Sequence, residues 1–280
     1  MLAMTLLVRD EEDIVAANLD YHLARGVDLV IATDNGSVDD TVEILRGYER
    51  AGVLRLLHER TDDYSQWRWV TRMARLAFGE GADWVINCDV DEFWWPREQA
   101  DLKRAFAELP ADAGVLRVER HNFPPRPVDE RAFFERMTVR DLDSRNSRGR
   151  PLRPKVAHRA HPEVRVEMGN HKVSGPDLGR EVASDGLEIL HFPMRAYEQF
   201  ENKIVKGARA LQANTELSPG KGQTWRQLYA LWERGRLRQF YDQELVRATH
   251  PSNGYVEDTR LRDFLREVRE GGAVRAADRA

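Results

Sequence analysis

Up to Pro96 the chain repeats one pattern: a short apolar run, a polar turn, then a segment with helical spacing. TLLVR precedes DEEDIVAANLDYHLARG, where Ile14, Leu19 and Leu23 recur at helical intervals. Acids open that segment and Gly26 closes it, as the helix dipole and a C-terminal stop favour. VDLVIATDNG leads into SVDDTVEILRGYERAG, and VLRLLHE into QWRWVTRMARLAFGEG. ADWVINCDVDEFWW completes the series as a fourth strand. Ser37 reads as the cap of the second helix, with Asp40 three residues later. Strands alternating with helices across short loops predict an α/β chain with a largely parallel central sheet flanked by helices. Such a sheet takes its ligands at the carboxyl ends of its strands.

That edge is acidic. The run VINCDVDEFWWP ends in Asp89, Asp91 and Glu92 before returning to Phe93, Trp94 and Trp95. Unpaired carboxylates are costly inside a strand but useful at its end if a cation sits there. Acids at i and i+2 of a strand share a face, so Asp89 and Asp91 are candidate ligands of one hard cation. Mg²⁺ or Mn²⁺ takes few protein oxygens and fills its other positions from water and phosphate, which suits a nucleotide diphosphate. A bare D-x-D recurs by chance; its place on the sheet edge gives it weight. TDNGSVDDT ends the second strand with Asp34 and Asp39, which could accept from a ribose hydroxyl or a base N–H, or serve as turn and cap residues. Trp94 and Trp95 either stack on a sugar face or cover the core.

Beyond Pro96 the pattern loosens. DLKRAFAELP reads as a short helix, AGVLRVERHNFPP as strand and loop, and GLEILHFPM as a strand ending in His191. The tail, from AYEQFENKIVKGARA to LRDFLREVREG, is helical. The expected division is a main domain at 1–207 and a helical extension at 208–280 packed on it. Residues 136–159 are basic without interleaved aromatics, which predicts a solvated loop. A net charge of −4 over 280 residues gives no reason to expect nucleic acid as partner. Cys88 is the only cysteine, so no intrachain disulfide forms; it reads as a small buried residue in a reducing compartment. The apolar start, MLAMTLL, is too short to span a membrane and reads as the first core strand. The expected location is cytoplasmic, with peripheral contact at the inner membrane face compatible with it.

LLVRDEEDIVAANLDYHLARGVDLVIATDNGSVDDT, then YSQWRWVTRMA, ADWVINCDVDEFWW, GNHKVSG and ILHFPMRAYEQFENKIVKG, taken in order, resemble the family 2 glycosyltransferases of GT-A fold. The likeness is to the bacterial branch with a D-V-D-E-F segment and runs from about Leu6 to Gly207. It implies a GT-A-like nucleotide-diphospho-sugar transferase fold. It also implies metal-dependent transfer of a sugar, with inversion, from a nucleotide sugar to an acceptor hydroxyl. UDP-sugars rank ahead of GDP-sugars as donor, and a glycan, a glycolipid or another hydroxyl compound is the acceptor. Carried over, Arg9, Glu11 and Asp34 form the nucleotide pocket and Asp39 lies near base or ribose. Gln66 points toward the nucleotide, Asp89 and Asp91 hold metal and diphosphate, and Glu92 orients them or faces the acceptor. Asp10 stands where Asn is common.

His191 ends an apolar strand as Asp89 does, and the family's use of a late histidine makes it a metal candidate, with His171 next. His22 and His58 read as packing or surface residues, His121 as lining the acceptor side, His158 and His161 as solvated. Lys155, Lys172 and Lys203 could offset diphosphate charge. Inversion needs a base behind the acceptor hydroxyl. Glu119, in RVERHNF, is preferred over Asp129, Glu130 and Glu135. Two other classes compete: a nucleotidyltransferase, although VRDEEDI is a poor triphosphate cradle, and a non-catalytic sugar-binding protein of the same fold.

Overall fold

The computed structural model describes residues 1–63, 65–218, 220–247 and 254–271. Its first part realises the alternation: β1 (Leu2–Val8), α1 (Val15–Ala24), β2 (Leu29–Asp34), α2 (Thr41–Arg50), β3 (Leu54–His58), α3 (Gln66–Gly79) and β4 (Trp84–Asp89). These strands pair in parallel in the order β3-β2-β1-β4. β1 is buried on both faces: Leu2, Met4, Leu6 and Val8 enter one core, while Ala3 enters another against which Leu7 packs. Burial on both sides is why β1, β2 and β4 read as apolar runs, while β3 at the sheet edge is half-exposed. α3 sends Val70, Met73, Ala74 and Ala77, one helical stripe, into the second core. The chain winds outward from β1 to β3, then returns to lay β4 on the other flank of β1. That reversal opens a crevice beyond the carboxyl ends of β1 and β4.

The fourth expected strand is two. β4 stops at Asp89, and β5 (Glu92–Pro96) belongs to a separate three-stranded sheet. Val90 and Asp91 make the turn, and the Asn18 side chain fixes it by donating to the carbonyls of Val90 and Glu92, each at 2.9 Å. Trp94 and Trp95 are core residues: both are buried, and Tyr21 donates its hydroxyl to the Trp94 carbonyl at 2.8 Å. A second correction concerns α2. Ser37 does not cap it; its hydroxyl accepts the Asp10 N–H at 2.9 Å, whereas Asp39 accepts the Thr41 N–H at 3.1 Å.

Next come α4 (Leu102–Ala107), β6 (Ala113–Val118), β7 (Arg120–Asn122), α5 (Phe133–Arg136), β8 (Val139–Asp141) and β9 (Lys155–Arg159). They are followed by β10 (Arg165–Val166), β11 (Val173–Ser174), β12 (Arg180–Ala183) and β13 (Leu187–His191). The main sheet continues from β4 through β9 and β6 to β12. β9 is antiparallel to β4 and β6, while every other neighbouring pair in that sheet is parallel. The expected solvated loop at 136–159 therefore contains an interior strand. His158, expected in water, is fully buried there with its Nδ1 on the Arg159 carbonyl at 2.8 Å. Burial pushes its imidazole down to about 4, so it sits neutral in the core. β13 pairs antiparallel with β5 and parallel with β7, which brings His191 opposite Glu92 and Asn122.

The C-terminal helical extension comprises α6 (Tyr197–Ala213), α7 (Gln223–Glu233), α8 (Leu237–Arg247) and α9 (Arg260–Glu270), with β14 (Tyr255–Glu257) before α9. α6, α7 and α8 share their own cluster around Phe200, Ile204, Leu228 and Tyr241. α9 instead returns Leu261 and Leu265 to the main core. Position 207 lies inside α6. A Cβ there would stand 2.1 Å from the Trp225 ring, so Gly207 lets α7 approach closely. Residues 272–280 of the expected extension lie outside the described residues. No helix among the described residues is long and apolar enough to cross a membrane.

Candidate active site

The reversal point gathers acids from three segments. β1 delivers Asp10 and Glu11, the end of β4 delivers Asp89 and Asp91, and β5 opens with Glu92. Each acid has a cation. Lys203 of α6 lies 2.6 Å from Asp91 Oδ2 and 3.4 Å from Glu11 Oε1. Lys155 of β9, itself buried, pairs with Asp89 and reaches Glu92 Oε1 at 3.3 Å. Arg120 of β7 donates to the same Glu92 oxygen at 3.0 Å. Lys206 pairs with Asp10. Buried charges need such partners.

Burial pushes the Asp91 carboxyl up, but Lys203 and His191 outweigh it and hold Asp91 well below the usual carboxylate range. Burial pulls the Lys203 ammonium down, and Asp91 with Glu11 more than offsets that, so it stays charged. Behind them Arg195 is fully buried between Glu11 and Asp13, with Asp13 oxygens at 2.6 and 2.8 Å from its guanidinium. Its desolvation is more than repaid by those two acids, and its guanidinium is held more strongly protonated than usual.

Asp91, Glu92 and His191 each present one donor atom, all within 4.8 Å of one another. His191 is oriented from behind. Its Nδ1 lies 2.7 Å from Asn122 Oδ1, and that amide's nitrogen is used on the Arg145 carbonyl at 3.2 Å. An amide oxygen only accepts, so Nδ1 carries a proton, and in the neutral ring the lone pair is the one on Nε2. Nε2 stands 3.6 Å from Asp91 Oδ2. Two carboxylates and an imidazole fixed in this tautomer suit a divalent cation such as Mn²⁺.

Several expected site residues lie outside this donor group and have partners of their own. Asp89 is outside the donor group; Asn170 Nδ2 donates to its Oδ1 at 2.9 Å and Lys155 takes the other oxygen. The same-face argument applies only within a strand, and the strand stops at Asp89. His171 is also outside that group. Its Nδ1 bonds the Pro154 carbonyl at 2.8 Å, and burial beside Lys155 and Arg120 pushes its imidazole down to about 3. Gln66 accepts the Gly169 N–H at 3.0 Å, anchoring the turn that carries Asn170. Gly169 has φ 81°, and a Cβ on it would come within 2.8 Å of the His171 ring. Asp34 spends its carboxylate on the Ser37 and Gly36 N–H groups at 3.1 and 3.2 Å. Asp39 accepts from Glu12 N–H at 3.2 Å as well as from Thr41. Arg9 pairs with Asp62 at 2.6 Å. Glu119 is exposed, and among the described residues its carboxylate has no hydrogen bond or ion pair.

Sequence reasoning passed over Asn122, Asn170, Arg120 and Arg195. Asn170 and Arg195 fall inside segments that carried the resemblance, GNHKVSG and HFPMR, where the histidines drew the attention.

A family model described as "Glycosyltransferase family 92" matches residues 4–216. No curated protein sequence matches significantly. Among solved structures, residues 1–349 of S. aureus TarS are similar at 14% identity, covering 96% of this chain and 87% of that one, with a TM-score of 0.46. The same protein in complex with UDP-GlcNAc gives 14%, 96%, 87% and 0.47. Glucosyl-3-phosphoglycerate synthase from Mycobacterium tuberculosis, with Mn²⁺, UDP and glucosyl-3-phosphoglycerate, gives 14% identity, 44% of each chain and 0.28. None of these structures carries a site or a substrate over to this chain.

Proposed function

Because the chain belongs to glycosyltransferase family 92, whose model spans residues 4–216, we propose that it transfers a sugar from a nucleotide-diphosphate sugar to an acceptor hydroxyl. The observation that carries this reading is the Asp91, Glu92 and His191 donor group, set among cations at the reversal point of the sheet. A divalent metal held there would neutralise charge on the departing diphosphate. Lys203, Lys155 and Arg120 add fixed positive charge beside it. Asn122 holds His191 in the required tautomer, and Arg195 holds Glu11 in place. Asp34, Asp39, Arg9 and Gln66 border the nucleoside side, as the sequence resemblance implies, with UDP ahead of GDP.

In the inverting course that the resemblance to family 2 implies, the acceptor oxygen forms its bond to the anomeric carbon from the face opposite the diphosphate. The bond from that carbon to the phosphate oxygen breaks, and its electron pair leaves with the nucleoside diphosphate. The acceptor proton passes to a base, for which the exposed and uncommitted Glu119 is the candidate. Metal identity, the roles of Asp89 and His171 in binding, and a 208–280 extension that supports the main domain belong to the same proposal.

Product analysis tests the class of reaction. Incubation with UDP-sugars, Mn²⁺ and hydroxyl acceptors is expected to release UDP. Pyrophosphate from a nucleoside triphosphate and a sugar phosphate would instead make the protein a nucleotidyltransferase. Binding of a sugar nucleotide with no turnover across donors and acceptors would make it a binding protein.

A further inference from the structure

On the outer side of α3 lies an open groove of about 790 Å³ that the proposed chemistry does not use. Arg68, Arg72 and Arg75 line it from α3, Arg165 from β10 and Lys221 from the segment before α7, against Glu167 as the lining acid. The three α3 arginines recur at i, i+4 and i+7 and form the stripe opposite the one that enters the core. Arg68 is paired with Glu216 at 2.7 Å in an exposed, easily exchanged pair, and Arg72 lies 3.6 Å from the partly buried Glu59. Among the described residues Arg75, Arg165 and Lys221 form no ion pair. Arg75 is held by its Nε on the Val164 carbonyl at 2.9 Å, so its position is set while its terminal nitrogens stay available. Trp67, half-buried, presents its ring in the same groove, with the Arg68 guanidinium 4.9 Å from its centroid.

The groove is joined to the candidate active site by one short segment. Glu167 and Met168 line the groove. The next residues, Gly169 and Asn170, bond Gln66 at the start of α3 and Asp89 at the end of β4. A chain lying along α3 would therefore run toward the acidic centre. Guanidinium groups grip carboxylates and phosphates in paired hydrogen bonds, and an indole ring stacks on the face of a sugar.

We infer that this groove binds the anionic part of the acceptor: a glycan bearing carboxylate or phosphate groups, with a ring stacked on Trp67. The acceptor role rests on the transferase reading; the anion site does not. Binding to the full chain is measured at low salt with three fluorescent probes: oligogalacturonate, its neutral methyl ester, and a phosphorylated oligomannoside. UDP with Mn²⁺ is titrated in parallel, and a single-stranded oligonucleotide serves as competitor. At least one charged glycan is expected to bind about tenfold or more tighter than the neutral ester and to weaken as salt rises. Which one binds identifies carboxylate or phosphate as the recognised group. The exposed double substitution Arg165→Glu with Lys221→Glu should remove that preference and leave UDP affinity unchanged; Trp67→Ala should weaken both charged and neutral glycans. UDP binding without preference for either charged glycan overturns the groove assignment and leaves the transferase reading standing. A charged glycan bound without any nucleotide diphosphate keeps the anion site and overturns its acceptor role. An oligonucleotide that displaces the glycans and binds tighter than both overturns the glycan assignment.

Discussion

The two ends of β13 carry the same ingredients and use them differently. At its start Glu188 is buried among arginines: Arg260 at 2.6 Å, Arg97 at 3.4 Å and Arg140 at 3.9 Å, with Asp258 bridging Arg140 and Arg260. Three arginines share two acids there, with Arg260 forked on Asp258, and they hold the segment before α9 against β13. At its end His191 faces Asp91 and Glu92, the acids converge on one another, and Asp91 has the flexible ammonium of Lys203 as partner. Arginine forks are rigid and permanently charged, whereas a lysine head can shift toward an arriving anion. The same strand thus ends in a clamp on one side and a centre able to exchange partners on the other.

The largest contrast is expected from Asp91→Asn, which keeps size and removes the charge at the converging end. Turnover should fall about 100-fold or more while the fold, followed by circular dichroism, is kept. Near-normal transfer at limiting Mn²⁺ would erase the distinction between the two ends.

Acid should act elsewhere. His22 and His158 are buried and held down to about 4, against 6.5 when unfolded. The unfolded chain takes up their protons first, so their contribution to stability is complete above about pH 6.5 and is lost as pH falls toward 4. Each costs about 1.4 kcal/mol per pH unit in that window. Asp91, held below 3.8, contributes stability above that value and loses it only below. Urea melts between pH 7 and pH 4.5 should show the fall, and His158→Gln should flatten it. An unchanged slope in that variant would remove His158 from the explanation.

Glu188→Gln probes the clamp. Losing that charge should cost about 1–3 kcal/mol of stability, with activity per folded molecule retained. A fall in turnover as deep as that of Asp91→Asn would mean that both ends serve the reaction. The smallest effect is expected from Asp39→Ala, which removes the acceptor of the Thr41 and Glu12 N–H groups in the turn before α2 and costs about 1 kcal/mol in denaturant unfolding. A weaker nucleotide affinity in the same variant would add the ribose contact implied by the resemblance.

The contrast also separates what was legible in the chain from what was not. β1, β2 and β4 could be read because strands buried on both faces must be apolar, and their turns carry Gly and acids in sequence order. β9 could not: KVAHR looks solvated, and its lysine is buried only because Asp89 and Glu92, more than sixty residues earlier, neutralise it. The acids of the centre stood out in DVDEF, but their grouping did not. The turn at Val90 and Asp91 depends on Asn18 of α1, a contact no local spacing reveals, and it sends Asp89 to Asn170 while leaving Asp91 with Glu92 and His191. His191 was visible as a strand end; Asn122, which fixes its tautomer, becomes visible only when β7 pairs with β13.

Calorimetric titration of UDP, with and without Mn²⁺, into the wild type, Asp91→Asn and Glu188→Gln tests the centre most directly. Binding that requires Mn²⁺ in the wild type and Glu188→Gln, and is lost in Asp91→Asn, is the predicted result. UDP binding that ignores both Mn²⁺ and the Asp91 charge would contradict the assignment of the metal and diphosphate to this end of β13.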